Sequence, residues 1–142
     1  MNEQEVSKWA LWDSIPLTTY CRDNIALLGD AAHASLPHQG AGAGQAIEDA
    51  LVLAEVLAAA YTKENIPLAL EAYDAIRRPR SQAVVKTSRD AGNLYKLHGP
   101  EGSNMSHISA NLVTRMSWIW YESMDLQIKR AVQMFEILSR RK

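Results

Sequence analysis

The sequence is sparing with cysteine, net charge and long apolar runs, and each shortage closes off a class of protein. Cys21 is the one cysteine. It cannot form a disulfide within the chain, and no thiolate cluster exists for zinc. Lys and Arg total 15 against 16 Asp and Glu, for a net charge of -1. That balance excludes a nucleic-acid binder driven by bulk positive charge and an acidic disordered tail. The longest apolar stretch, Ala50 to Tyr61, is interrupted by Glu55 and falls short of the ~20 residues needed to cross a bilayer. The opening Met1-Asn2-Glu3-Gln4-Glu5 is polar and acidic, unlike a secretory signal or an organelle transit peptide. These features point to a reduced, cytoplasmic setting with no membrane span. There is no internal repeat and no low-complexity tract.

What is present is ordinary for a globular protein: 142 residues, 47% hydrophobic and 22% charged. That is enough chain for one domain with a real core. Trp9-Ala10-Leu11-Trp12, ended by Pro16, predicts a short strand. Ile25-Ala26-Leu27-Leu28, closed by Gly29-Asp30, has no polar alternation. It predicts a strand buried on both faces, as in a parallel sheet. From about Gln45 the period becomes helical, with Ala46, Ile47, Ala50, Leu51, Leu53, Ala54, Leu57 and Ala58 on a wide apolar stripe. Glu48 and Asp49 read as first-turn acids that suit the helix dipole.

A second helix is expected from about Leu68, kinked or restarted at Pro79. Leu97 to Ser106 holds Gly99, Pro100 and Gly102 and reads as a surface loop or lid. Residues 108–140 read as one or two amphipathic helices. The chain is thus expected to be mostly helical, with one or two short strands at its front.

The segment from Gly29 to Ala50 carries the chemistry. A buried strand would deliver Asp30 at its C-terminal end, where open α/β sheets place their ligands. Glycines then let the backbone approach a ligand closely. They lead into a helix whose first N–H groups lack internal partners and can face negative charge or an electron-rich carbonyl. Strand, acid, Gly-rich loop and helix describe a site for a polar cofactor with hydroxyls and delocalised negative charge. A lone Gly-rich turn capped by an aspartate would carry no such meaning.

The whole run, Gly29-Asp30-Ala31-Ala32-His33, then Pro37, Gly40-Ala41-Gly42-Ala43-Gly44 and Glu48-Asp49-Ala50, closely resembles the second FAD-binding motif of the class A flavoprotein aromatic hydroxylases. That group includes salicylate and p-hydroxybenzoate hydroxylases. Trp9 to Asp13 with Pro16, Tyr73 followed by Arg77-Arg78-Pro79-Arg80, and Trp118-Ile119-Trp120 are similar to further stretches of salicylate hydroxylase-like members.

The resemblance implies an α/β fold, the C-terminal part of a p-hydroxybenzoate hydroxylase-like FAD-binding fold. It divides residues 1–142 into the second FAD motif at 29–50 and a helical part at 66–142. It implies FAD as cofactor, with Asp30 on the ribityl hydroxyls and the Pro37 backbone near the isoalloxazine. Gly40, Gly42, Ala43 and Gly44 would present N–H groups to its pyrimidine edge. In such enzymes NADH or NADPH reduces the flavin, and O2 then serves to hydroxylate a small aromatic substrate. No catalytic residue and no metal ligand is assigned by the resemblance.

The Gly-x-Gly-x-x-Gly strand–turn–helix that holds the ADP half of FAD in this group is missing from the sequence. The N-terminal dinucleotide-binding half is therefore absent, and the chain is expected to bind FAD weakly or not at all alone. A parallel strand at 25–28 without neighbours would leave sheet edges open to self-association. The other class of function is a non-catalytic remnant acting as a helical association module.

Other features read blandly. His33 and His38 lack zinc-pair spacing. His33 is expected to hydrogen-bond within its loop, and His38 is a candidate to face a substrate. Arg77, Arg78, Arg80, Lys86 and Arg89 are expected to form a solvated helix face with local ion pairs. Tyr73, Trp118 and Trp120 are expected in packing, and Cys21 as an inert small residue.

Overall fold

The computed structural model describes residues 9–141; the acidic opening read above lies outside them. Two-residue strands β1 (Cys21–Arg22) and β2 (Ile25–Ala26) pair antiparallel, Cys21 opposite Ala26 and Arg22 opposite Ile25. A two-residue turn joins them, with Asp23 at φ 54°. Helices follow: α1 (Asp30–His33), α2 (Gly42–Ala60), α3 (Ile66–Tyr95), α4 (Met105–Thr114), α5 (Ser117–Trp120) and α6 (Met124–Ser139). A 3-10 turn at Pro37–Gln39 links α1 to α2, and a second at Lys63–Asn65 leads into α3.

The mostly helical architecture with short strands is as expected, but the strands differ in kind. Ile25–Leu28 is not a parallel strand buried on both faces. Only Ile25–Ala26 is extended in a ladder, its partner is antiparallel, and Ile25 is 69% exposed. Trp9–Trp12 forms no strand, and Trp9 and Trp12 are exposed. A strand needs a neighbour for its N–H and C=O groups, and among the described residues the only ladder is β1–β2. The front segment is held instead by Ser14 N–H donating to Ala34 O at 2.8 Å and by Arg89 bridging to Asp13 at 2.6 Å.

The core lies among α2, α3 and α6. Val52, Val56 and Ala60 of α2 meet Ala69, Ala72 and Tyr73 of α3 and Ala131 and Phe135 of α6, all buried, with Tyr20 alongside. These positions recur every three or four residues, the spacing of one helix face.

Helix α3 runs through Pro79 as one element, without the restart that was one of the two expected effects. Pro79 is exposed, so the carbonyl its missing N–H would have served can meet water. Buried anchors on both sides, Tyr73 and Arg77 before it and Ser81 and Val84 after, tie the helix to the core on either side of the proline. Helix α2 begins at Gly42, three residues earlier than the period suggested, so the glycine-rich stretch forms its first turn. The C-terminal region holds three helices rather than one or two. α4 and α6 open on side-chain caps: Asn104 Oδ1 accepts from His107 N–H and Ser123 Oγ from Leu126 N–H.

Candidate cofactor site

Gly29 adopts φ 59° and ψ -143°, a region open to glycine but strained for other residues. A Cβ there would stand 3.4 Å from Ala46 Cβ. The backbone that carries Asp30 thus lies against the second turn of α2, one helical turn (~6 Å) from Gly42. The Asp30 carboxylate is exposed and has no partner among the described residues.

Gly40 closes the Pro37–Gln39 turn at φ 60°, in the left-handed region. Helix α2 then starts with no side-chain cap, and the first N–H bonded inside it is that of Gln45, to Ala41 O at 3.0 Å. The N–H groups ahead of Gln45 are the orphan donors of a helix N-terminus. Pro37, Gly40, Ala43 and Gly44 are exposed and Gly42 half-buried. An exposed carboxylate follows the glycine that backs onto α2 at Ala46, and uncapped amide donors open the same helix. Such a surface can accept hydrogen bonds from hydroxyls and donate them to an anionic ring edge. In this respect the residues present fit a flavin.

Behind that surface lies a buried polar network that sequence reasoning missed. Asp49 Oδ2 accepts from Gly29 N–H at 3.0 Å and meets His33 Nε2 at 2.5 Å, while Oδ1 takes Arg77 Nε at 2.8 Å. Arg77, with no exposed surface, also donates to Glu48 (2.6 Å), Gln127 Oε1 (2.6 Å), Gln45 Oε1 (2.9 Å) and Gln45 O (3.3 Å). Arg80 closes on Glu48 at 2.7 and 2.9 Å, donates to Trp118 O and Ile119 O, and lies over the Trp118 ring.

Burial alone would raise the Asp49 carboxyl, but hydrogen bonds from His33, Gly29 N–H and Arg77 outweigh it and hold it below the usual range. Glu48 is likewise held down, its desolvation overcome by Arg80 and Arg77. Burial, with Asp49 nearby, pushes the Tyr73 hydroxyl up. Tyr73 stays a neutral donor, to Leu27 O at 2.9 Å.

Several expectations are corrected here. Arg77 is not on a solvated face; only Lys86 and Arg89 of the five basic residues are exposed, and Arg78 and Arg80 are half-buried. Glu48 and Asp49 serve α3, not merely the dipole of α2. His33 bonds across to α2 rather than within its loop. His38 stands edge-on to Tyr95 and against Gly92, packed on α3. Trp118 and Trp120 are exposed, while Ile119 between them is buried.

A usable signal existed in the sequence. Asp49 shares a three-to-four spacing with Val52, Val56 and Ala60, and Arg77 shares one with Tyr73, Ser81 and Val84. An acid and a base each on a buried stripe are complementary.

The FAD binding domain family matches residues 2–88 of this sequence, a span holding the open surface and both sides of the ion network. The chain belongs to the FAD binding domain family. A salicylate hydroxylase of Pseudomonas putida is 46% identical over 125 residues, which cover 87% of this chain and 29% of that protein. A 6-methylsalicylate 1-monooxygenase of Aspergillus terreus is 39% identical over 133 residues, 93% of this chain and 30% of that protein. The solved structure described as a salicylate hydroxylase substrate complex superimposes with a TM-score of 0.83 at 46% identity. It covers 87% of this chain and 30% of its own. This FAD binding domain chain therefore spans about three-tenths of the length of these relatives. Among its described residues no helix is long and apolar enough to cross a membrane.

Proposed function

We propose that this chain supplies the flavin-facing part of an FAD-dependent monooxygenase. The reaction is hydroxylation of a phenolic or other aromatic acid at the expense of NADH or NADPH and O2. The observation that carries this reading is the pairing of the exposed, unpartnered Asp30 carboxylate with the uncapped start of α2. The names of the relatives, salicylate hydroxylase and 6-methylsalicylate 1-monooxygenase, support the reaction and substrate class. FAD supplies the redox chemistry when bound.

The roles of the protein groups follow from their chemistry. Asp30 accepts hydrogen bonds from the ribityl hydroxyls. The amides of Gly42, Ala43 and Gly44, with the turn at Gly40, donate to the electron-rich pyrimidine edge, where fixed dipoles need no reorganisation. Pro37 shields the ring from one side. Asp49 fixes the carboxylate's mount by holding Gly29 N–H and His33 at once. The single cysteine supports a reducing, cytoplasmic location.

Taken alone, the chain has no Gly-x-Gly-x-x-Gly turn for the ADP half of the cofactor, so free FAD should bind weakly and turnover should be absent. Flavin fluorescence during titration of the purified chain measures this; micromolar affinity with a shifted flavin spectrum would refute it. In a protein that also contains the missing part, Asp30→Ala should strip the flavin while leaving the fold intact. Each charge-assisted bond lost is worth ~1.5–3 kcal/mol. Full flavin retention in that variant would sink the assignment of Asp30.

A further inference from the structure

The C-terminal half of α3, the connection at 96–104 and α4 border a cleft of about 490 Å³, within the size range of small-molecule sites. Lys86 and Asp90 of α3, Glu101 of the connection, Asn111 of α4 and Arg115 just after it line this cleft. Arg115 is built into the wall. Its Nη1 donates to Asn111 Oδ1 at 2.6 Å and its Nη2 to Thr87 O at 3.0 Å, while Asn111 Nδ2 donates to Glu101 Oε1 at 2.8 Å. The guanidinium is therefore held on two sides. Yet no carboxylate pairs with it among the described residues, whereas Arg77, Arg78 and Arg80 each meet one.

Among the described residues, two buried side-chain nitrogens have no hydrogen-bond partner: Arg115 Nε and Gln39 Nε2. Both belong to side chains that bond Thr87. Arg115 donates to its carbonyl, and Gln39 Oε1 accepts from its hydroxyl at 3.0 Å. The shortage of acceptors is thus confined to one corner of the molecule. A half-buried cation with no counter-charge is costly, and an anion in the cleft would offset it.

We propose that this cleft binds a small hydroxy-carboxylate, with Arg115 as its anchor. The carboxylate pairs with the planar guanidinium, whose geometry matches it. Lys86, whose side chain has no partner among the described residues, adds a second positive charge. Asp90 stands four residues on, ~6 Å along α3, and is likewise unpartnered. It accepts the hydrogen bond of the ligand's hydroxyl. Leu94, buried, gives the carbon skeleton an apolar contact. The charges of the wall cancel, Lys86 and Arg115 against Asp90 and Glu101, which suits a monoanion with a hydroxyl and not a polyphosphate. None of the residues assigned to the flavin lines this cleft, so the proposal goes beyond the cofactor reading and does not depend on it.

The test titrates the purified full chain and follows its proton–nitrogen correlation spectrum. Two pairs of probes are used, meta-hydroxybenzoate against benzoate and lactate against propionate. Roughly millimolar or tighter binding of a hydroxy acid is expected, with shifts gathered at residues 86–94, 98–101 and 111–115. The tighter hydroxy acid tells an aromatic ligand from an aliphatic one, and each should bind more tightly than its partner lacking the hydroxyl. Arg115→Gln should weaken binding about tenfold or more, as expected for one charge-assisted bond. Lys86→Ala should weaken it about threefold, and Asp90→Ala should abolish the advantage of the hydroxyl. Arg22→Gln, on β1, should change nothing. Lys86 and Asp90 are exposed, so their variants keep the test open if Arg115→Gln fails to fold, which circular dichroism checks.

The proposal is overturned if neither hydroxy acid shifts these residues, or if the shifts fall elsewhere. It is also overturned if the hydroxyl gives no advantage, if inorganic phosphate binds as tightly, or if Lys86→Ala and Asp90→Ala bind as the unaltered chain does.

Discussion

Arg77 Nε and Asp49 Oδ1, 28 residues apart in the chain, meet at 2.8 Å with both side chains fully buried. The pair joins the helix after the glycine-rich loop to the long helix α3, and through Gly29 and His33 it sets where Asp30 stands.

Removing one partner of such a pair should be severe. Arg77→Met strands the Asp49 carboxylate and leaves Glu48, Gln45 and Gln127 short of donors. Breaking a buried pair from one side costs about 3–5 kcal/mol. Arg77→Lys should recover only part of this, because a point charge cannot serve five acceptor atoms as a planar guanidinium does. Urea midpoints at constant slope measure both; a loss below ~1 kcal/mol for the Met variant would show the network to be unimportant.

The same carboxylates fix the acid response. Asp49 and Glu48 have folded pKa values below their unfolded ones. In the acid range the unfolded chain therefore binds more protons, and stability rises with pH. The contribution is full above the unfolded values near pH ~4–5 and is lost as pH falls through the lower folded values. Melting temperatures should hold steady from neutral pH to about 5 and drop steeply below about 4. Asp49→Asn should start lower and fall less steeply; an equal slope would remove Asp49 from the cause.

Asp30 and Asp49 should separate binding from stability. Asp30 is exposed and unpartnered, so Asp30→Ala should move stability by no more than about 0.5 kcal/mol. Asp49→Ala should cost several times that. Paired denaturation curves decide it, and similar losses for the two would contradict the geometry.

Gly92 is a seat for a side chain. A Cβ there would lie 2.5 Å from His38 Cδ2, so Gly92→Ala must push the imidazole off Tyr95, at about 1–3 kcal/mol of overpacking. His38→Ala in the same chain should restore most of it. A double-mutant cycle measures the coupling; an additive result would mean that the ring moves aside freely.

The Tyr73 hydroxyl ties α3 to Leu27 O at 2.9 Å. Tyr73→Phe should cost about 0.5–1.5 kcal/mol and loosen the segment from Ile25 to Gly29. Faster amide hydrogen exchange confined to that segment is the expected signature, and unchanged rates there would rule the tie out.

By itself the amino-acid order determined where the glycine-rich turn stands, that a helix follows it, and which carboxylate precedes it. Those are local matters: glycine's backbone freedom, the orphan amides of a helix start and the three-to-four apolar spacing act within a few residues. The helical C-terminal part was legible for the same reason. Tertiary structure alone decided that Arg77 is interior, that Asp49 braces Gly29, and that His38 faces Tyr95. A charged residue's burial depends on which partner a distant helix brings to it, since desolvation is offset only by a hydrogen bond made across the fold. The same dependence explains the strands. An extended run gains its pairing from neighbours: residues 9–12 lie in no ladder among the described residues, and the run at 25–28 is paired beyond Ala26 only through Leu27, whose N–H donates to Tyr20 O at 2.8 Å.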